Sequence, residues 1–379
     1  MTAVPAITEV LTGRMRPRHR RFHDAFADLC SELGLNCQLR PVSLKQRLLV
    51  QAATRWQGVR SLKLDANNRV GVLHQALNRG SMPYLAEFDV PLALHGYDIV
   101  RHRRSHGEAR RLLEQPQLRA LLTFSDWAGR SFGLHFGPEV EAKCRTVYPL
   151  AFEAARCGSF DQRKYDFSFI ATQFRIRCGP ETVLAFCQAR TNTRLDARMC
   201  VVTRLEQARE VLGDLSQYPG VEWRQAVLSE TEVADLLEDT KCLVHPSLSD
   251  SFGVVVLEAL AAGCAAIASD MASFPELVQP ERNGWLLSLP TSAVVGDTFI
   301  TEYGTVAYHE AYLNTMSLHS VEAALRETME ILLRDQQRLQ EMMKASHALY
   351  VARFSPQAWQ DRMRTILKES FPELSIGGA

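Results

Sequence analysis

Long apolar runs are missing from this sequence of 379 residues. The best candidate, Phe252 to Ser269, contains Glu258 and two glycines, which excludes a transmembrane helix, since a span needs about 20 largely apolar residues. The N-terminal stretch places its apolar residues ahead of its positive charges, the reverse of a secretory signal, so the expected compartment is the cytoplasm. Cysteines number nine, an odd count, and no two are spaced as Cys-x-x-Cys. That argues against a disulfide scaffold and a zinc ribbon and leaves most of them as small core residues. There is no Asp-x-Asp and no His/Cys/Asp/Glu cluster with metal-ligand spacing, so no metal is expected. The lack of a Gly-x-Gly-x-x-Gly and of a Walker lysine loop weakens dehydrogenase and nucleotide-hydrolase readings. Net charge is also missing, with 43 Lys+Arg against 43 Asp+Glu, which argues against a nucleic-acid binder.

What is present is an ordinary globular composition, 46% hydrophobic, 23% charged and 8% aromatic, long enough for two domains. Neutrality is the sum of opposed halves. Residues 1–150 carry 22 Lys+Arg and 13 Asp+Glu, whereas the rest carries 21 and 30.

Periodicity predicts a strand at Ile7–Leu11, a turn at Thr12-Gly13, and a helix with apolar residues at Phe22, Phe26, Leu29 and Leu33, ended by Gly34. A helical stretch is expected over Glu108–Leu122, leading into Thr123-Phe124-Ser125. The sequence turns polar and irregular between Phe152 and Lys164, where the domain junction is placed. Beyond it, strands are expected at Phe167–Ala171, Met199–Val202, Cys242–Val244, Ala265–Ala268 and Trp285–Leu287. Helices are expected at Glu181–Ala189, Leu205–Leu212, Val233–Leu237 and Gly253–Ala262, the third opened by the capping box Ser229–Glu232. Such alternation argues for a parallel, doubly wound sheet that binds ligands at the carboxyl ends of its strands.

The stretch from His245 to Gly263 is the most informative. A strand ends, Pro246-Ser247 opens a loop, and a helix begins near Gly253, where a glycine permits close approach and uncapped amides offer an anion site. Asp250 lies in the loop and Glu258 in a helix that is otherwise apolar, where a carboxylate is expensive unless something hydrogen-bonds it. Sugar hydroxyls would do so.

Asp250 and Glu258, with seven residues between them and followed by Ala259-Leu260-Ala261-Ala262-Gly263, resemble the paired-acid motif of the GT-B glycosyltransferases of family 4. The resemblance extends through Ala265–Asp270, Pro275–Val278 and Asn283–Leu286, back to Phe169–Phe174 with Arg177-Cys178-Gly179-Pro180, and forward to Phe354–Trp359, about 200 residues in all. It implies two Rossmann-like doubly wound domains facing a central cleft, an acceptor-binding domain at 1–155 and a nucleotide-sugar-binding domain at 156–353. A last helix at 354–379 would pack back on the first domain. It also implies an enzyme that moves a sugar from a nucleotide-diphosphate donor to a polysaccharide or lipid-linked acceptor, retaining configuration, with the donor as co-substrate and no cofactor. Asp250 would meet the sugar and Glu258 the ribose. Arg177 and the amides of Ser251, Phe252, Gly253 and Val254 would meet the diphosphate. The first acid is usually Glu; Asp250 is shorter by one methylene, about 1.5 Å. Arg stands at 177 in place of the usual Lys and can hold phosphate bidentately. A sugar-nucleotide epimerase or a non-catalytic nucleotide-sugar binder of the same fold remains open.

In the first half, Glu87 and Asp89 alternate with apolar neighbours after Met82-Pro83 and are acceptor candidates, as is Arg14, while Gly13 lies where the first strand–helix loop of this fold approaches a donor. His95 is a candidate for a substrate-hydroxyl contact, and Ser125-Asp126-Trp127 for a cleft-edge loop. Arg14, Arg16, Arg18, Arg20 and Arg21 form one basic cluster and Arg101, Arg103 and Arg104 another, suited to an anionic membrane surface or an anionic acceptor.

Overall fold

The structure is a computed structural model that describes residues 6–11, 17–41, 43–65, 69–152, 159–290, 294–295, 298–299, 313 and 317–374. It divides into two compact units, one built from residues 1–150 and 356–379 and the other from residues 151–299 and 305–355.

The first unit opens with β1 (Ala6–Leu11), α1 (Pro17–Glu32), β2 (Asn36–Pro41), α2 (Leu44–Gln57), β3 (Ser61–Leu62), β4 (Arg69–His74), β5 (Leu77–Asn78) and β6 (Tyr84–Phe88). A short 3-10 turn (Pro91–His95) leads into α3 (Ile99–Glu114), β7 (Leu118–Thr123), α4 (Asp126–Phe136), α5 (Pro138–Glu141) and β8 (Cys144–Thr146). Six strands pair in parallel in the order β2-β1-β4-β6-β7-β8. The helix expected over Glu108–Leu122 stops at Glu114. Gln115 precedes Pro116 and takes an extended conformation, as residues before proline do, so Leu118–Thr123 becomes a strand.

The second unit runs β9 (Tyr165–Ile170), α6 (Gly179–Thr193), β10 (Met199–Thr203), α7 (Leu205–Leu212), β11 (Val221–Gln225), α8 (Glu230–Glu238) and β12 (Thr240–His245). It continues with α9 (Val254–Ala261), β13 (Ala265–Ser269), α10 (Phe274–Leu277), β14 (Gly284–Leu287), α11 (His319–Arg334) and α12 (Gln336–Arg353). Its parallel sheet has the order β11-β10-β9-β12-β13-β14. The capping box at Ser229 forms in both directions, satisfying two orphan amides at the start of α8. In each sheet the strand order reverses once, between β1 and β4 and between β9 and β12, the crevice where doubly wound sheets take ligands.

Parallel strands buried on both faces explain the near-continuous apolar runs of β10 and β13. The last helix, α13 (Pro356–Ser370), belongs to the first unit. It buries Trp359, Met363, Ile366 and Leu367 in the same core as Phe22 and Phe26 of α1, with the Trp359 ring edge-on to Phe22 at 5.1 Å. Each large apolar side chain buried this way contributes roughly 1.5–3 kcal/mol. No helix among the described residues is long and apolar enough to cross a membrane.

Candidate active site

The reversal in the second sheet brings together two loops, one leaving β9 and one leaving β12. The β9 loop ends in Arg177 and Cys178. Cys178 adopts a left-handed conformation at φ 49° just before α6, and the neighbouring Gly179 is packed so closely on Phe174 that a Cβ would lie 2.2 Å from its ring. Leu248 of the other loop donates its amide to the Ile176 carbonyl at 2.9 Å, tying the loops together. Ser269, at the end of β13, pins the second loop by donating to the Ser247 carbonyl at 2.6 Å, and Ser273 does the same to Phe252 at 2.9 Å.

In this frame the Arg177 guanidinium donates to Asp250 Oδ2 at 2.6 Å and also to Ser247 Oγ and the Ser249 carbonyl. His245, the last residue of β12, stands 3.3 Å from the same oxygen. Asp250 Oδ1 accepts from the amides of Phe252 and Gly253, at 3.3 and 3.1 Å. Burial works against the Asp250 carboxylate. The Arg177 charge, the His245 bond and the Phe252 amide outweigh it and hold the group well below the usual carboxylate range. Burial pushes His245 down, so it is neutral and donates to Asp250 through Nε2. Nothing in the sequence pattern gave His245 a role; its place at the end of a buried strand, just before a proline, is the available signal.

Four hydrogen bonds match the acceptor capacity of a carboxylate. The sugar contact implied for Asp250 therefore requires one of these bonds to be given up. The physical reason is the short side chain: aspartate folds back onto amides two and three residues on, as in an Asx turn. Arg177 and Asp250, expected to act on diphosphate and sugar separately, form a single ion pair, 17% and 15% exposed.

Gly253 precedes α9 at φ 76°, and a Cβ there would lie 2.2 Å from the Phe274 ring, so the chain needs glycine. The first-turn amides of Val254 and Val255 have no intrahelical acceptor, the standard condition of a helix start. Glu258 falls four residues after Val254, on the same face of α9, and is half-buried. The second unit thus collects a guanidinium, the Asp250 carboxylate and helix-terminal amides at one sheet crevice, with Glu258 one turn further along α9.

The first-unit candidates fare differently. Gly13 and Arg14 lie outside the described residues, as does Arg16. Glu87 is buried, with Oε2 bound to His74 Nδ1 at 2.5 Å, and Glu9 binds the other ring nitrogen at 2.7 Å. Burial opposes charge on His74, but the two carboxylates raise its pKa to about 9, making it an imidazolium. Asp89 is also buried and accepts from the Tyr97 hydroxyl. Glu87 and Asp89 therefore belong to interior networks, the reverse of open acceptor ligands.

His95 is a correction. It is fully buried, donates from Nδ1 to the Gly58 carbonyl at 2.7 Å, and packs edge-on to His102 at 4.7 Å. Burial lowers the pKa of His95 to about 4 and of His102 to about 3, so both are neutral packing groups out of reach of a substrate. Ser125 lies in the short connection from β7 to α4 and caps that helix, accepting from the Ala128 amide at 3.0 Å.

Residues 180–295, which include Asp250 and Glu258, match the family Glycosyl transferases group 1. The alpha-maltose-1-phosphate synthase of Mycolicibacterium smegmatis is 31% identical over 113 residues, 29% of this chain and 27% of that protein's length. Solved structures resemble nearly the whole chain. A glycosyltransferase from Rickettsia africae superposes with a TM-score of 0.65 at 10% identity, covering 97% of this chain and 99% of its own. Anabaena HepE, in complex with UDP and glucose, gives 0.61 at 12%, covering 96% and 99%. At such identities these likenesses establish the fold, which is GT-B. The fold thus spans the chain, while the likeness to the group 1 glycosyltransferases is carried by residues 180–295 of the second unit, which hold Asp250 and Glu258.

Proposed function

We propose that this chain is a family 4 enzyme that transfers a sugar, with retention, from a nucleotide-diphosphate donor to a polysaccharide or lipid-linked acceptor, without a metal. The observation that carries this reading is that Arg177 and Asp250 meet beside the start of α9 at the crevice of the second sheet. UDP is the first nucleotide to try, because HepE is a fold neighbour solved with UDP and glucose.

Loss of the nucleotide builds negative charge on the diphosphate. Here the Arg177 guanidinium and the positive end of α9 supply the compensating field, fixed in advance by the Ser247, Ser249 and Asp250 bonds. Glu258, one turn into α9, accepts from the ribose hydroxyls. Asp250 sets Arg177 and the loop, and releases an oxygen to a sugar hydroxyl when donor enters. The excess of basic residues over 1–150 supports a cytoplasmic protein that visits an anionic membrane face.

Glu258→Ala should abolish UDP binding in calorimetry while leaving the unfolding midpoint near wild type. Unchanged affinity would overturn the ribose assignment.

A further inference from the structure

Helix α2 turns an apolar face outward. Leu44, Leu48, Leu49 and Trp56 are 74%, 56%, 56% and 81% exposed. Leu44, Leu48, Ala52 and Trp56 recur every four residues and so form one stripe along the helix. Beside the stripe opens a cavity of about 600 Å³, with Leu48 and Trp56 in its wall together with Arg47, Arg55, Arg60 and Arg101.

No carboxylate lines this cavity among the described residues. Arg47 has a buried Nε with no hydrogen-bond partner among them, and Arg101 reaches Asp98 only at 3.4 Å. Arg60 is fastened in place by its backbone: its amide donates to the Leu94 carbonyl at 2.7 Å, and its own carbonyl accepts from Leu77 at 2.9 Å. Leu94 follows the carboxyl end of β6 and Leu77 that of β4, so the cavity opens on the side of the first sheet where doubly wound units bind ligands.

Guanidinium groups stay charged, and a hollow walled by four arginines and by no carboxylate among the described residues has a positive local potential that favours an anion. Their planar forks match phosphate oxygens, and four forks suit a diphosphate better than a single phosphate. A soluble diphosphate would leave the leucines and Trp56 in water; a hydrocarbon chain attached to it would cover them.

We propose that this cavity holds the diphosphate of a lipid diphosphate, with its hydrocarbon chain along Leu44, Leu48 and Trp56. A role as acceptor site rests on the transfer reading above; the binding claim does not.

The test titrates the full chain with farnesyl diphosphate and with its two halves, inorganic pyrophosphate and farnesol. Farnesyl diphosphate should bind roughly tenfold or more tightly than pyrophosphate. The double variant Arg47→Gln/Arg55→Gln should weaken both diphosphates by roughly tenfold or more, and Trp56→Ser should weaken farnesyl diphosphate alone. Equal binding of pyrophosphate and farnesyl diphosphate would make this a site for a soluble anion and overturn the lipid assignment. Undiminished binding in the double variant would overturn the location. UDP is titrated alongside: a chain that binds UDP but not farnesyl diphosphate loses this inference alone, and the opposite result removes the donor reading alone.

Discussion

Two sheets of the same topology treat the same crevice in different ways. In the second unit, the ends of β9 and β12 diverge around Arg177, His245 and Asp250, and the ion pair there keeps some contact with solvent. In the first, β1 and β4 stay paired as far as Leu11 and His74, and Glu9 and His74, each about 1% exposed, lie within that ladder, the imidazolium binding Glu9 on one side and Glu87 on the other. His23 of α1 adds a further bond to Glu9 at 2.7 Å. Phe22 closes over His74 edge-on at 4.8 Å, and Trp359 of α13 backs Phe22. Removing charge from water is costly, so a buried triad survives only when its members satisfy one another, and a triad so satisfied has little left for a ligand. An arginine that keeps an edge in solvent beside helix amides is in the opposite position. The lesson is that fold topology offers a site, and desolvation decides whether it is used for binding or for cohesion.

The largest effect expected from breaking this contrast is on stability. His74→Gln leaves two buried carboxylates facing each other without a cation, and should lower unfolding free energy by about 3–5 kcal/mol in urea melts. A smaller loss would mean that Glu9 and Glu87 find other partners. The pH dependence follows with a definite sign. The folded His74 pKa of about 9 lies above its unfolded value near 6.5, so its contribution is complete below about pH 6.5 and disappears as pH rises through 9. Wild type should therefore lose a few kcal/mol between pH 7 and pH 10 that His74→Gln does not lose. Asp250 is opposite: its depressed folded pKa adds stability above the unfolded value near 3.9, lost as pH falls below it.

A smaller effect sharpens the other half of the comparison. Gly253→Ala puts a methyl group against Phe274 and forces a left-handed alanine, which should cost about 1–3 kcal/mol. Because the α9 amides would shift with it, UDP affinity should fall as well. A stability loss with unchanged affinity would dissociate the helix start from donor binding.

Much of the second unit was legible because its strands and helices alternate with clean punctuation. Met199, Leu205 and Leu212 bound observed elements as periodicity predicts, and Ser229 caps where the pattern says it does. Asp250 and Arg177 stood out in the sequence as candidates, but their mutual ion pair was not legible, since 73 positions separate them. The first unit was harder. The strands β2 and β4 and the helix α2 carry no long apolar run, because Arg40, Arg47 and Arg69 interrupt them. His95 and Glu87 look like cleft residues in a polar-spaced segment. Only tertiary burial reveals that His95 packs on His102 and that Glu87 answers to a histidine 13 positions earlier.

The central claim is that the donor is held at the second crevice and not at the first. It is tested most directly by titrating UDP into Arg177→Ala and His74→Gln side by side, at a temperature where both remain folded. The account predicts that Arg177→Ala loses roughly a hundredfold or more in affinity, while His74→Gln binds UDP as wild type does. Wild-type affinity in Arg177→Ala, with the loss falling instead on His74→Gln, would contradict it.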